Sequence, residues 1–190
     1  MRPLFASVTL CSLVACAAPP SGGAPALGPP SSPAPPASSS ATATVATSEA
    51  GARALVSLSA RLQGGWVAKL PSGKEVHESF RTISNDSALV ESYRSGQSET
   101  MSVYHADGAS LVLTHYCAQG NQPRLRLGPI TDGTLVFRFV DVTNLQPGKS
   151  YLVEKRLQFV GDGLEQTETY RDPAGATDTT VFHFKRENAL

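Results

Sequence analysis

From residue 66 to residue 185, apolar and polar positions alternate in short runs, and turn-forming sequences separate these runs. A period of two is typical of β-strands that bury one face. The turns read PSG, SND, RSGQ, ADG, GPITDG, QPGK, GDG and DPAG. The pattern predicts about ten strands, which are Trp66–Leu70, Glu75–Ser84, Ala88–Tyr93, Glu99–His105, Ser110–Cys117, Arg124–Leu127, Thr134–Asp141, Tyr151–Val160, Glu165–Arg171 and Thr179–Lys185.

The connections between these strands are short, which favours antiparallel neighbours and leaves no room for crossover helices. An open sheet of this size would expose two edges, and closure removes both. We therefore predict an all-β domain over residues 49–190, an up-and-down antiparallel β-barrel. A β-sandwich is the alternative.

One amphipathic helix is predicted ahead of the strands, in Ser48–Leu62. Leu55, Leu58 and Leu62 recur at helical spacing, and a Gly-Gly pair follows as the stop signal. Trp66 comes directly after that pair. We expect its ring to fill the core where the helix meets the barrel.

The chain begins with a segment typical of an export signal. Arg2 precedes an apolar stretch that is much shorter than the ~20 residues needed to span a bilayer. The segment ends in Leu13-Val14-Ala15-Cys16, which resembles the lipobox of bacterial lipoproteins. The resemblance implies that residues 1–15 are a signal peptide and that Cys16 is lipidated and becomes the mature N-terminus. A plain secretory signal cut nearby is the alternative.

Residues 16–48 are rich in Pro, Ala, Ser, Gly and Thr, with no charged residue before Glu49. Such a segment cannot bury enough apolar surface to fold, so we predict a disordered spacer. Together with the acyl anchor, it predicts a protein tethered to a membrane of the bacterial cell envelope. Ala17 follows the lipidated cysteine, and this favours the outer membrane.

The charge balance argues against a nucleic-acid-binding protein, and the cysteine content argues against a disulfide-stabilised one. The chain has 16 Lys and Arg against 16 Asp and Glu, so no net field attracts nucleic acid. Cys11 lies within the signal peptide, and acylation of Cys16 would leave Cys117 without a partner. A disulfide framework is therefore excluded.

Several segments of the folded region resemble a family of small bacterial exported proteins with a lipocalin-like or nitrobindin-like β-barrel. They are GGWVAKLPSGK, SALVESY, MSVYHADGASLVLTHYCAQGNQPRLRL, DGTLVFRFVDVTNL and VFHFKR, and HYCxxGNQPR is the most distinctive block. The resemblance covers about residues 50 to 187. It implies a barrel and suggests ligand binding, but it supplies no established activity.

The hairpin around residues 99–117 determines which side chains face inward. A three-residue turn, Ala106-Asp107-Gly108, would pair Met101 with Leu113 and keep the apolar set on one face. A two-residue Asp107-Gly108 turn would split that set, so we predict the first register. The inward residues are then Met101, Leu111, Leu113, His115 and Cys117, joined from other strands by Phe137, Phe139 and Phe182.

Polar side chains end this strand and begin its exit turn, and they are the candidate ligand-binding residues. They are His115, Cys117, Asn121, Gln122 and Arg124. In the alternative view, the histidine is a hydrogen-bonded residue of the rim, the thiol is buried and inert, and the amides only satisfy backbone groups of the turn.

No metal or cofactor site is predicted. His115 and Cys117 are two potential ligands on one strand face, whereas a zinc site needs three or four. Haem or a metal held through these two residues is the alternative. The chain also lacks GxSxG, HExxH, CxxC and a phosphate loop, so we predict no enzyme. A Cys117–His115 nucleophile pair would need an orienting carboxylate, and the predicted register supplies only Glu99.

Three functions remain. The first is a lipid-anchored module that binds a small apolar or amphipathic molecule inside the barrel. The second is a structural or envelope-assembly lipoprotein with a filled barrel and no ligand. The third, least favoured, is an enzyme that uses Cys117. An open lumen would favour the first function, and a filled lumen would favour the second.

Overall fold

The structure, a computed structural model, describes residues 39–187, with side chains described from residue 48 onward. The predicted signal peptide, Cys16 and most of the predicted spacer lie outside the described residues. One helix, α1 (Ser39–Leu62), precedes ten strands. The strands are β1 (Gly64–Lys69), β2 (Glu75–Ile83), β3 (Ala88–Ser95), β4 (Ser98–Asp107), β5 (Ser110–Tyr116), β6 (Gln122–Leu127), β7 (Leu135–Thr143), β8 (Tyr151–Val160), β9 (Gly163–Arg171) and β10 (Thr177–Arg186).

Each strand pairs antiparallel with the strands before and after it in the sequence, and β1 pairs with β10 to close the barrel. The predicted up-and-down β-barrel is therefore confirmed. Its strands match the runs of alternating apolar and polar residues because one face of each strand is buried and the other faces solvent. β2 shows this most plainly, since Val76, Glu78 and Phe80 are buried and the residues between them are exposed.

The helix is confirmed, but it begins at Ser39 rather than near Ser48. Leu55, Leu58 and Leu62 are buried in the same apolar cluster as the barrel interior. This confirms the predicted apolar face.

The helix packs over the end of the barrel that contains the β4–β5 turn, and we call this the closed end. Gly51 of α1 is buried against this turn, where an added Cβ would overlap the carbonyl oxygen of Gly108. Trp66 follows α1, and its Nε1 donates a hydrogen bond of 2.7 Å to the carbonyl of Leu62. Its side chain is buried, so the predicted core role of Trp66 is confirmed. The loops β3–β4, β5–β6 and β9–β10 lie at the opposite, open end.

Large side chains fill the closed half of the lumen. The largest fully buried ones include Trp66, Tyr104, Phe137, Phe184, Leu89, Leu111 and Leu157. This half of the barrel is a packed core rather than a cavity.

The predicted register of the β4–β5 hairpin is wrong. Asp107 pairs with Ser110, which makes a two-residue turn, and Gly108 in that turn has a left-handed φ of 60°. Tyr104, not Met101, lies opposite Leu113. The tyrosine faces inward because its hydroxyl finds a buried acceptor, whereas Met101 faces out and is 38% exposed.

Candidate functional site

A layer of polar side chains crosses the lumen between the apolar closed half and the open end. We call it the polar cluster. Six strands contribute its members, which are Glu78, Glu91, Ser102, Tyr104, His115, Lys155, Gln166, Glu168 and Tyr170. Strand alternation points them all inward, and most of them are fully buried.

Lys155 of β8 is at the centre of the cluster. Its ammonium lies 2.6 Å from Glu91 Oε1 and 3.1 Å from Glu168 Oε1, and its side chain has no exposed surface. Burial alone would lower its pKa, but the negative charges around it, chiefly Glu91, raise that pKa well above the ordinary value. Lys155 is therefore a permanent buried cation.

Glu91 of β3 is the anion that balances it. Besides Lys155, its carboxylate accepts hydrogen bonds from Ser102 Oγ at 3.3 Å and from the Tyr104 hydroxyl. Burial opposes ionisation, but the Lys155 charge and these hydrogen bonds outweigh burial and lower the pKa of Glu91. Three donors thus hold one carboxylate in a fixed, charged state.

A second carboxyl group in the cluster, that of Glu78, is also fully buried. Glu78 Oε1 accepts a 2.7 Å hydrogen bond from Gln166 Nε2. Burial and the nearby charge of Glu91 raise the pKa of Glu78 well above its ordinary range, which favours its protonated form. The other side-chain oxygens of these residues, Glu78 Oε2 and Gln166 Oε1, have no hydrogen-bond partner among the described residues.

His115 of β5 joins the charged centre to the open end. Its Nδ1 lies 3.1 Å from Ser102 Oγ, and its Nε2 lies 3.3 Å from the Tyr170 hydroxyl. Burial lowers its pKa, so the ring is neutral. The hydroxyl of Ser102 donates its hydrogen bond to Glu91, so it can only accept one from His115. The imidazole proton therefore lies on Nδ1. Nε2 is then an acceptor that faces Tyr170.

Cys117 lies half-buried at the end of the same strand, where the Gln119 amide donates a weak hydrogen bond to its sulfur at 3.5 Å. Burial raises the pKa of the thiol. Both ring nitrogens of His115 have other partners, and Ser102, not Glu99, lies opposite it. The predicted position of Glu99 is wrong, since it lies on the outer face near Arg94. None of these features favours a thiolate nucleophile.

The predicted rim residues hold the turn rather than join the cluster. Asn121 is buried, and its Nδ2 donates to the carbonyl of Ser150 at 2.9 Å. Gln122 Oε1 accepts from Thr143 and Asn144. The structure does not bring these amides to His115. They form hydrogen bonds with neighbouring segments of the chain.

Arg124 lies on the outer face of β6, where it forms an exposed ion pair with Asp141. Its guanidinium is therefore separated from His115 by the barrel wall. The lining residues divide in the same way. Leu111, Leu113 and Phe137 are fully buried inside, Phe182 is nearly so, and Phe139 is partly exposed. Met101 lies outside, so its predicted lining role is wrong.

Of the polar cluster, only His115 is predicted as a site residue from the sequence. A signal did exist. Glu78 follows Val76 and precedes Phe80 at a spacing of two, and Glu91 lies in the same way between Leu89 and Tyr93. A polar residue in phase with buried neighbours must face inward with them.

In the part of the chain that the structure describes, no group of three or more His, Cys, Asp and Glu side chains is arranged to hold a metal ion. Within the same residues, no helix is long and apolar enough to cross a membrane.

The fold and the site together define a closed, ten-stranded β-barrel with a helix at one end and a buried ionic layer inside. No family model and no curated protein sequence matches the chain. Among solved structures, the chain is similar to the crystal structure of Rv2717c from M. tuberculosis, with 14% sequence identity and a TM-score of 0.49. The match covers 70% of this chain and 98% of that one. At this identity, the likeness concerns the fold alone.

Proposed function

We propose that the protein is a lipid-anchored β-barrel of the bacterial envelope that binds a small molecule at the open end of its lumen. One observation carries the binding proposal, namely the ionic layer built from Lys155, Glu91 and Glu168 inside the barrel. Desolvating such charges is costly, and apolar residues of similar volume often stabilise a core as well or better. Because the stability of the core does not require charged residues at these positions, their presence supports a role in binding.

The position of the layer supports this proposal. Glu91 and Lys155 are fully buried, while Glu168 and Tyr170 are partly exposed toward the open end. A ligand that enters there would meet polar groups already held by neighbours, so binding would require little reordering.

Native mass spectrometry of the mature protein, released gently from a neutral detergent, tests the proposal. We expect a non-covalent adduct beyond the lipidated chain mass. Tyr170→Phe removes the hydroxyl next to His115 and should reduce the adduct several-fold. Thr169→Val, on the exposed outer face of the same strand, should leave it unchanged.

A bare chain in every gentle preparation would contradict ligand binding. It would favour the second function, a structural or envelope-assembly lipoprotein. The filled closed half of the lumen is the observation that supports this alternative. We propose no catalytic role for Cys117, because its thiol pKa is raised and His115 is engaged elsewhere.

The anchor has its own test. We expect Cys16→Ser to move the protein from the membrane fraction into the soluble fraction, because the acyl chains supply the membrane affinity. Cys117→Ser is the matched control and should stay with the membranes. The measurement is immunoblotting of fractionated cells, and an unchanged membrane share for Cys16→Ser would exclude lipidation at this residue.

A further inference from the structure

The polar cluster has more negative than positive charge. Lys155 contributes one positive charge, while Glu91 and Glu168 contribute two negative charges within hydrogen-bond distance of its ammonium. Glu78 adds no positive charge in either protonation state. The charge difference, one minus two, leaves one uncompensated negative charge in a mostly buried layer, where charges interact strongly.

That charge lies on Glu168, the partly exposed carboxylate of the ion-pair network. Glu91 is saturated by Lys155, Ser102 and Tyr104. Glu168 Oε1 accepts from Lys155 at 3.1 Å and from Gln166 at 3.3 Å. Among the described residues, its Oε2 has one long contact, of 3.5 Å, with the Tyr170 hydroxyl, and the side chain is 14% exposed. Oε2 is therefore an acceptor with spare capacity on a partly exposed side chain.

A second, independent observation also indicates missing donors. Gln166 is fully buried, and its Nε2 contacts both Glu78 and Glu168, yet its Oε1 has no partner among the described residues. A buried amide oxygen without a donor is uncommon in folded proteins. The amide oxygen of Gln166 thus lacks a hydrogen-bond donor, while the amide nitrogen of the same side chain contacts Glu168.

Aromatic rings border the same region. Tyr93 lies beside Glu78 on the neighbouring strand, and its ring meets Phe182 edge to face at 5.9 Å. Burial first, and then the negative charge of Glu168, raise the pKa of Tyr93. Ring faces attract organic cations and also pack against alkyl chains.

We infer that the ligand carries an alkylammonium or similar cationic donor head, which binds Glu168 Oε2 beside Tyr170, with its alkyl part on Tyr93 and Phe182. The inference rests on the proposed binding function and names its ligand class. A carboxylate head would meet the uncompensated negative charge and be repelled, and an alcohol would gain no ionic contact.

The test compares three probes with the same short chain, namely butylammonium, butan-1-ol and butyrate, titrated into the mature protein and followed by ligand-observed NMR. We expect butylammonium to bind at least about tenfold more tightly than either of the others. Glu168→Gln should abolish this preference, and Glu168→Asp should keep it. Glu165→Gln, on the outer face of the same strand, is the matched control and should change nothing.

The outcomes separate the two proposals. Equal or tighter binding of butyrate or butan-1-ol would overturn the cationic class while leaving small-molecule binding intact. No binding of any probe, with an adduct still present in native mass spectrometry, would overturn the inference alone. No binding together with a bare native mass would overturn both. The comparison of head groups uses the unsubstituted protein, so it holds even if Glu168→Gln does not fold.

Discussion

Lys155→Met is expected to lower the free energy of unfolding by about 3–5 kcal/mol, because it leaves Glu91 and Glu168 without their buried counter-ion. Methionine has nearly the same length, so the loss reports the charge rather than a cavity. Glu91 would keep two neutral donors, Ser102 and Tyr104, but no cation. Urea unfolding of the substituted and unsubstituted proteins, followed by tryptophan fluorescence, measures the difference.

Arg156→Met is the matched control for this prediction. Arg156 is the next residue along β8, lies on the exposed outer face and, among the described residues, forms an ion pair with Glu154. We expect a change within about 0.5 kcal/mol. The double variant Lys155→Met with Glu91→Gln should recover part of the loss, because it removes an unpaired charge. If Lys155→Met is as stable as Arg156→Met, the buried ion pair described above is absent.

Leu113→Ala is expected to cost roughly 2–5 kcal/mol, because it deletes a fully buried side chain from a packed lumen. His115→Ala should cost less, about 1–3 kcal/mol, since it removes two hydrogen bonds from a buried site. The histidine variant should instead weaken ligand binding. Thermal or urea unfolding gives the first comparison, and native mass spectrometry gives the second.

Thr114→Ala serves as the control, because Thr114 lies between the two residues and faces the other side of the strand. We expect it to change neither stability nor binding by much. Suppose that His115→Ala destabilises the barrel as much as Leu113→Ala and leaves the adduct unchanged. The histidine would then be structural, and its place in the binding site would be wrong.

The barrel could be predicted because its evidence is local. Alternation, short turns and the lack of crossover segments are all visible in neighbouring residues, and closure follows from the number of strands. The inward positions of Leu111, Leu113 and His115 were predicted even though the hairpin register was wrong. All three lie in phase on β5, so their shared face does not depend on the partner strand.

The register itself could not be read from hydrophobicity. Strand β4 carries Ser102 and Tyr104 on its inner face and Met101 and Val103 on its outer face, which reverses the usual order. Glu91 on the neighbouring strand β3 stabilises this order, because its carboxylate accepts hydrogen bonds from both hydroxyl groups. A contact between different strands therefore overrides the local pattern of hydrophobicity. The contact between Lys155 and Glu91 joins residues that are even more distant in the sequence.

The pairing of β1 with β10 has a consequence for the entropy of folding. Every other ladder joins strands that are consecutive in the chain, so each can form from a hairpin with a short closing loop. The β1–β10 ladder alone joins the two ends of the domain, and it contains two residue pairs, Trp66 with Arg186 and Val67 with Lys185. The pairing with the largest entropic cost of loop closure is thus stabilised by the ladder with the fewest residue pairs. Contacts across the lumen, such as Lys155 with Glu91, add to the stabilisation of the closed barrel.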